Sequence, residues 1–512
     1  MSENRHIVNK VVVEVNTTRL ETATMIKNNL VGLLEERLFP LFNKKMDEYS
    51  RPGKVMRFHD LKLDLTIPRD DYLHALETGI IDRFSRAIEN KLSGSTNPSH
   101  DEVSREEVSR EVDKQITVEE NRREEFLFFL EKGHLPWYGS ENDLRDLLLP
   151  QNWEESLDNP VFFMKLVSRL ERGEETINRF IYQLDDRQIT SFLGRAHPAI
   201  KKTADPLLQQ LHRFPRDTRN QLIHFLLVAS LEKRDNTLEN KANELAGSIL
   251  NEKSPHTLDS LPHVLDNPLA QTLQTGLAEI ISIYGRADIL PLQRSDDELL
   301  IPFLDKGDRP DRAGATNEKE RSSTTISTNR EEVDTEWEEE PFFGQDNGAI
   351  SVQNAGLVLL HPFLKPFFSE IQLVDEKDRL KGSARQVAVQ VLHFLATSNR
   401  EFFEGNLVFE KFLCGVSLST SMEKECLLTE KIMTESIALL QQVIRYWPAL
   451  KNSSPEWLQQ LFLQRKGKLI QDKGRVKLLV ERKSQDILLD KLDWNISVVK
   501  IPWRKGLLFV EW

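Results

Sequence analysis

The sequence predicts an α+β protein, mainly α. It comprises a small N-terminal β-α-β-α unit, an irregular helical array, and a C-terminal helical unit closed by an antiparallel β meander. Three observations predict this. Apolar residues recur at helical spacing, punctuated by caps and prolines, through much of residues 123–304 and 350–472. They alternate at period two near the N-terminus and again over residues 474–512. Residues 305–348 are poor in large apolar side chains and strongly acidic. The resulting divisions are 1–93, a polar linker 94–122, an array 123–304, an acidic disordered linker 305–348, and 349–512.

In the first division, Ile7, Val11, Val13 and Val15 fall at strand spacing. Ala23, Ile26, Leu30, Leu33 and Leu34 repeat at helical spacing, and Leu38 and Leu41 continue the face. Pro40 is expected to kink or end that helix near Phe39, because proline lacks the N–H and crowds the preceding turn. Leu61, Leu63 and Leu65 alternate with Lys62 and Asp64, a half-buried strand. Pro68 opens the next helix, lined by Leu73, Leu76, Ile80, Phe84 and Ile88. Residues 94–122, dominated by Ser, Glu and Arg, read as a linker or loosely packed helix. The helix carrying Phe126 to Lys132 stops at Gly133, which tolerates the left-handed C′ conformation. Leu135-Pro136-Trp137 turns the chain and Ser140 caps the next helix.

Residues 140–304 read as all-helical. Asn159-Pro160 supplies a cap and a first-position proline, Gly173 closes that helix, and Asp205-Pro206 repeats the start signal. Phe214-Pro215 is a further start, without a preferred cap side chain. Leu222, Ile223, Leu226, Leu227 and Leu231 form one apolar face. No fixed repeat period is present, so no named solenoid is implied. The acidic linker reads as a spacer, with partner docking through Trp337, Phe342 and Phe343 as its alternative. Further on, Ser454-Pro455-Glu456 begins a helix that Gly467 is expected to end. The meander is expected at Val476, Leu478 and Val480, then Trp494, Ile496 and Val498, then Leu507 and Phe509. Gly474, Pro502 and Gly506 mark its turns.

The 512 residues are 39% hydrophobic and 29% charged, enough to bury a core and stay in solution, and the net charge is -13. That balance argues against a nucleic-acid surface, which needs basic patches to displace counterions. Charge is unevenly placed: residues 305–348 hold 13 acids against 6 bases (-7), and residues 455–512 hold 12 bases against 7 acids (+5). These segments either contact one another or a partner, or are separately solvated. Cys414 and Cys426 fit no metal or redox spacing, and so few thiols suit a reducing cytosol. No apolar run has signal-peptide length: Lys10 and Glu14 bracket Val11-Val12-Val13. No stretch reaches the length of a membrane span; residues 357–368 come nearest but contain Pro362, Lys365 and Pro366. The expected localisation is cytoplasmic.

Phosphate loops, zinc-protease helices, nucleophile elbows and calcium loops are all missing from the sequence. No catalytic, cofactor or metal site and no small-molecule substrate is predicted. His361 reads as a helix-start histidine, and Cys414, between apolar neighbours, as a packing thiol. Tryptophans remain as interaction candidates: Trp137, Trp447, Trp494, Trp503 and Trp512. Aromatic side chains fill cores and dominate interfaces alike. Trp512, a terminal aromatic, must either dock or fray.

Several ordered blocks carry a resemblance. They are Asn354-Ala355-Gly356-Leu357-Val358-Leu359-Leu360-His361-Pro362-Phe363-Leu364, then Phe412-Leu413-Cys414-Gly415, Tyr446-Trp447-Pro448-Ala449-Leu450, Phe462-Leu463-Gln464-Arg465-Lys466-Gly467, and the closing Lys500-Ile501-Pro502-Trp503-Arg504-Lys505-Gly506 to Trp512. Arg57-Phe58-His59-Asp60-Leu61-Lys62-Leu63-Asp64-Leu65 and the block from Phe126 to Tyr138 add to them. Together they resemble the tape measure protein family of contractile injection systems, over roughly residues 5–92, 124–140 and 350–512. Departures are Lys62, where an acid is expected, Asp493, where the family favours proline, and small substitutions in Phe412-Leu413-Cys414-Gly415. The resemblance implies a non-enzymatic structural protein of a phage-tail-like particle that sets tube length, with tail tube or baseplate proteins as partners.

An extended ruler would be a long helix rising ~1.5 Å per residue, roughly 770 Å for the whole chain. The 22 prolines and capped helices are not built for that. The expectation is therefore folded ends with a middle, residues 94–349, able to stretch. The alternative is an assembly chaperone or adaptor that binds tail or cargo proteins and leaves.

Overall fold

A computed structural model describes residues 5–17, 20–66, 72–94, 114–210, 216–231, 276, 294–295, 298–299, 342, 349–472 and 474–512. The α+β, mainly α class holds. Two compact units emerge. One comprises Met1–Leu127 with Leu135–Leu147, the other Phe128–His134 with Leu148–Trp512.

In the first unit the helices Leu20–Gly32 and Phe39–Tyr49 are joined by a π-helical stretch, Leu33–Leu38. Pro40 therefore shifts the helix register instead of ending the helix. The wider turn before it absorbs the missing N–H and the ring clash. Strand β1 (Lys54–Arg57) pairs antiparallel with β2 (Lys114–Thr117), with Val55 opposite Ile116. Both differ from the expected strands. Residues 7–15 and 61–65 form no strand, with a bend at Asn9, and β2 lies within the segment read as polar linker. Alternating apolar residues there mark extended backbone, but pairing requires a partner edge that periodicity does not show. Pro68 lies outside the described residues; the helix it was expected to open is Tyr72–Gly94. Phe84 stacks on Phe42 at 4.5 Å, and Phe84 and Ile88 are buried. The helix Val118–Lys132 follows β2 directly.

The second unit contains most of the buried apolar side chains. Its array runs through helices Pro150–Asp158, Pro160–Leu170, Glu174–Gln183, Asp186–Ala196, Pro198–Leu208 and Arg216–Ser230. Asn159 caps as expected, accepting from the Phe162 N–H at 2.9 Å. Asp185 and Gln188 close a reciprocal capping box. Two start and stop signals are displaced. Gly173 is the residue before the helix Glu174–Gln183, and Pro206 sits inside Pro198–Leu208, whose start is Pro198 after the His197 cap. A proline near a helix end costs little when tertiary packing holds the turn, and Ala204 and Leu207 beside it are fully buried. Phe214-Pro215 lies outside the described residues. A two-stranded pair, β3 (Arg294–Ser295) and β4 (Glu298–Leu299), replaces helix at that point. The linker 305–348 lies outside the described residues except Phe342, which is buried edge-on to Phe412.

The C-terminal part builds a five-stranded sheet in the order β5 (Ile350–Val352), β6 (Gly467–Asp472), β7 (Arg475–Val480), β9 (Leu508–Glu511), β8 (Val498–Val499). β6 and β7 form an antiparallel hairpin with Leu469 opposite Leu478, but β7 and β9 run parallel. The simple meander is thereby corrected. Trp494, expected in a strand, instead sends its indole N–H to the Leu359 carbonyl at 3.0 Å. That tether keeps its segment out of the sheet, and the chain returns with β9 between β7 and β8. Gly467 starts β6 instead of ending a helix. A Cβ there would lie 2.6 Å from the Leu479 carbonyl. Beneath the sheet, the 3-10 helix Ala355–Leu360 is wholly buried, as are the inward faces of Arg385–Thr397 and Glu430–Tyr446.

Candidate interaction sites and a buried ionic hub

Within the second unit, the array and the C-terminal part meet through charges. Arg179, Glu404 and Lys411 are each fully buried. Arg179 lies on the helix Glu174–Gln183 between Ile177 and Phe180, whose packing draws it inward. Glu404 opens the short 3-10 turn Glu404–Asn406, and Lys411 lies on Val408–Leu413, every residue of which is buried. Arg179 Nε donates to Glu404 Oε1 at 2.9 Å, and Lys411 Nζ donates to the same oxygen at 2.8 Å. The remaining donors satisfy carbonyls. Arg179 Nη1 reaches Leu130 at 2.6 Å and Nη2 reaches Ser419 at 2.5 Å. Lys411 reaches Leu418 at 3.3 Å and Thr420 at 2.7 Å. Burial pushes the Lys411 ammonium below its ordinary value, and Glu404 opposes that shift. Two buried cations are thus held by one carboxylate and four backbone oxygens, the arrangement that makes charge tolerable away from water.

Gly133 makes this approach possible. Its φ is +73°, and a Cβ would lie 2.1 Å from the Leu418 carbonyl and 2.8 Å from Arg179 Nη2. The rim adds polar ties. Glu175 accepts from the Ser421 N–H at 2.7 Å, and Lys424 donates to the Gln183 carbonyl at 2.7 Å. Arg216 pairs with Glu423 and Glu425. A second buried carboxylate, Glu410, accepts from Asn354 Nδ2 at 2.6 Å, with His393 Nδ1 3.9 Å away. Burial pushes the Cys414 thiol well above its ordinary value, as befits a packing thiol.

The tryptophans are distributed. Trp137 is part-buried in the first unit, edge-on to Tyr138 at 5.4 Å. In the second unit Trp447 is fully buried, donates to the Leu488 carbonyl at 3.1 Å and meets Trp494 at 6.4 Å. Trp503 is part-buried, stacks on Phe368 and donates to the Leu413 carbonyl at 2.8 Å. Trp512 docks: its indole N–H donates to Asp486 Oδ2 at 3.1 Å, and its carbonyl accepts from Arg482 at 2.8 Å. Asp486 also accepts from the fully buried Arg465 at 2.5 Å. His361 begins the helix His361–Glu370, its Nδ1 3.0 Å from the Val358 carbonyl; burial lowers its pKa.

A family model described as contractile injection system tape measure protein matches residues 5–512. The chain belongs to that family. No curated protein and no solved structure matches it. The match takes in the array and the linker as well as the blocks that carried the resemblance. Tape measure membership makes this a structural component associated with tail proteins. No helix among the described residues is long and apolar enough to cross a membrane, and no described cluster of His, Cys, Asp and Glu could hold a metal. The hub residues Arg179, Glu404 and Lys411 were missed in the sequence. Their signal was available: Glu410 and Lys411 interrupt an apolar run from Leu407 to Leu413, and charges in such a run must be paired if the run is buried.

Proposed function

We propose that this tape measure family protein is a non-enzymatic assembly component that works as a folded docking body, with any length-setting capacity confined to residues 232–341. The observation that supports this is the hub. It joins Arg179 to Glu404, 225 residues apart in sequence, through fully buried contacts. Stretching the array into a ruler would expose those charges and the core around them. The stretchable middle expected from sequence, residues 94–349, thus contracts to about 110 residues, about 165 Å if wholly helical. The partners we propose are tail tube or baseplate proteins, with no nucleic acid and no small-molecule substrate. The protein is made in the cytoplasm and taken into the particle. Trp137, Trp494, Trp503 and Trp512, each part-exposed, are the proposed contact residues, and the buried Trp447 holds Trp494 in place.

The test is to delete or duplicate blocks within 232–304 and measure particle length by electron microscopy. Lengths should change by about 1.5 Å per residue. Normal particles of unchanged length would remove the ruler and leave the docking body. The compactness of the second unit favours one other reading, an assembly chaperone that leaves. Absence of the chain from purified particles that nevertheless require it would establish that reading.

A further inference from the structure

The first unit carries an unusual stretch of exposed apolar backbone. Ile7, Val8, Val11, Val12, Val13 and Val15 are all exposed, Val12 at 76%. The chain bends at Asn9, residues 10–15 belong to no helix, strand or turn, and among the described residues their backbone makes no hydrogen bond. Five of these six are valines, β-branched residues that suit a pleated ladder and gain nothing from standing in water. Such a segment is a strand without a neighbour, a template for pairing with another edge.

The sequence of the segment indicates the neighbour. Consider antiparallel pairing of two copies about Val12, so that each residue i faces residue 24 minus i of the other. Lys10 then faces Glu14, twice over, and Val11 faces Val13, twice over, with Val12 facing itself on the two-fold axis. Residues on one face of the strand stay on that face, because the register pairs even numbers with even and odd with odd. Opposite charges and β-branched pairs directly across an antiparallel ladder are the favourable combinations. A one-residue slip would instead place Lys10 opposite Val13 or Val15, and Glu14 opposite Asn9 or Val11. Lys10 and Glu14 are both exposed, and among the described residues the Glu14 carboxylate accepts a hydrogen bond only from Asn16 of its own segment.

We propose that residues 10–14 form a two-fold interface, pairing antiparallel with the same segment of a second copy of this chain, centred on Val12. The interface is isologous, so it closes at two copies instead of propagating. The surface is independent of the ruler or chaperone reading of the second unit.

The experiment is sedimentation equilibrium of the full chain with three variants: Lys10→Glu, Glu14→Lys and the double swap. The wild type should dimerise. Each single reversal should raise the dissociation constant about tenfold, since it turns two attractive cross-strand pairs into two repulsive ones. The double swap should restore wild-type affinity, because each cross-strand pair again joins opposite charges, with the signs exchanged. In parallel, Val12→Cys should form an intermolecular disulfide on mild oxidation, because the paired Cα atoms are about 4.5–5.5 Å apart. Glu14→Cys should cross-link poorly. A monomeric wild type, a dimer indifferent to the single reversals, or a double swap that fails to recover each overturns the proposal. Capture of the segment by the sheet edge of a different tail protein also overturns it.

Discussion

Replacing Glu404 with glutamine should destabilise the second unit more than any other conservative change. Among the described residues Glu404 is the only carboxylate hydrogen-bonded to either Arg179 or Lys411, and all three are fully buried. Glutamine keeps the shape and one acceptor but removes the charge, leaving two buried cations without a hydrogen-bonded counterion. Breaking a buried pair in this way costs about 3–5 kcal/mol. The pH dependence identifies the cause. Lys411 is depressed below its ordinary 10.5 in the folded protein. The unfolded chain therefore binds the extra proton, and stability rises with pH through the window that ends at 10.5. Removing Glu404 deletes the contribution that holds the Lys411 value up, so the window widens downward. Part of the lost stability should return as pH rises from neutrality. Replacing all three residues with apolar ones should not rescue the protein. The carbonyls of Leu130, Leu418, Ser419 and Thr420 would lose their donors, at about 1 kcal/mol or more each. The assay is equilibrium urea unfolding followed by tryptophan fluorescence at several pH values. A Glu404→Gln midpoint indistinguishable from wild type, or a loss independent of pH, refutes the reasoning.

Gly356→Ala should cost about 3 kcal/mol or more and lower expression of folded protein, because its Cβ would lie 1.7 Å from the Phe462 carbonyl. Burial raises Glu125 to about 7, so the folded protein keeps a proton that the unfolded chain has lost. The first unit should therefore weaken by about 2–3 kcal/mol as pH rises from about 4.5 through about 7, and Glu125→Gln should flatten that dependence in thermal melts. Deleting Trp512 should lower stability by about 1–2 kcal/mol and speed amide exchange around Asp486, which loses the indole N–H. Trp447→Phe should cost about 2 kcal/mol, because the Leu488 carbonyl loses its donor and a cavity opens beside Phe462; unfolding by urea measures it.

Local rules of the chain were legible where the cause was local. The Asn159 and Ser454 caps, the turn at Gly133 and the alternation in β7 depend on a few neighbouring residues. What stayed hidden depended on distant partners. Residues 7–15 and 61–65 read as strands because they alternate, but alternation specifies a face and not an edge to pair with. β5 and β6 went unseen because Ile350–Val352 finds its partner at Gly467–Asp472, more than a hundred residues later. Of the hub, only Lys411 carried a sequence signal, inside the apolar run from Leu407 to Leu413; Arg179 and Glu404 did not, for the same reason. Those two charges look like surface residues until the fold brings Leu130 and Ser419 around Arg179 and joins it to Glu404. The tryptophans were legible as important but not by kind of role, since an aromatic that anchors a core and one that meets a partner have the same sequence signature.

The family name and the fold pull in different directions, and the hub shows where they can be reconciled. A protein that measures by being stretched cannot also keep two buried cations around one carboxylate, because the hydrogen bonds to Leu130, Ser419 and Thr420 exist only in the compact form. On the function proposed above, residues 128–134, 148–231 and 349–512 enter assembly as one folded unit, and any length-setting falls to residues between Leu231 and Phe342. The chain leaves the array and returns to its C-terminal part within the same compact unit. On that reading, insertions between Leu231 and Phe342 change length while the hub and the Phe342–Phe412 contact stay in place, so length and docking vary independently in a single chain.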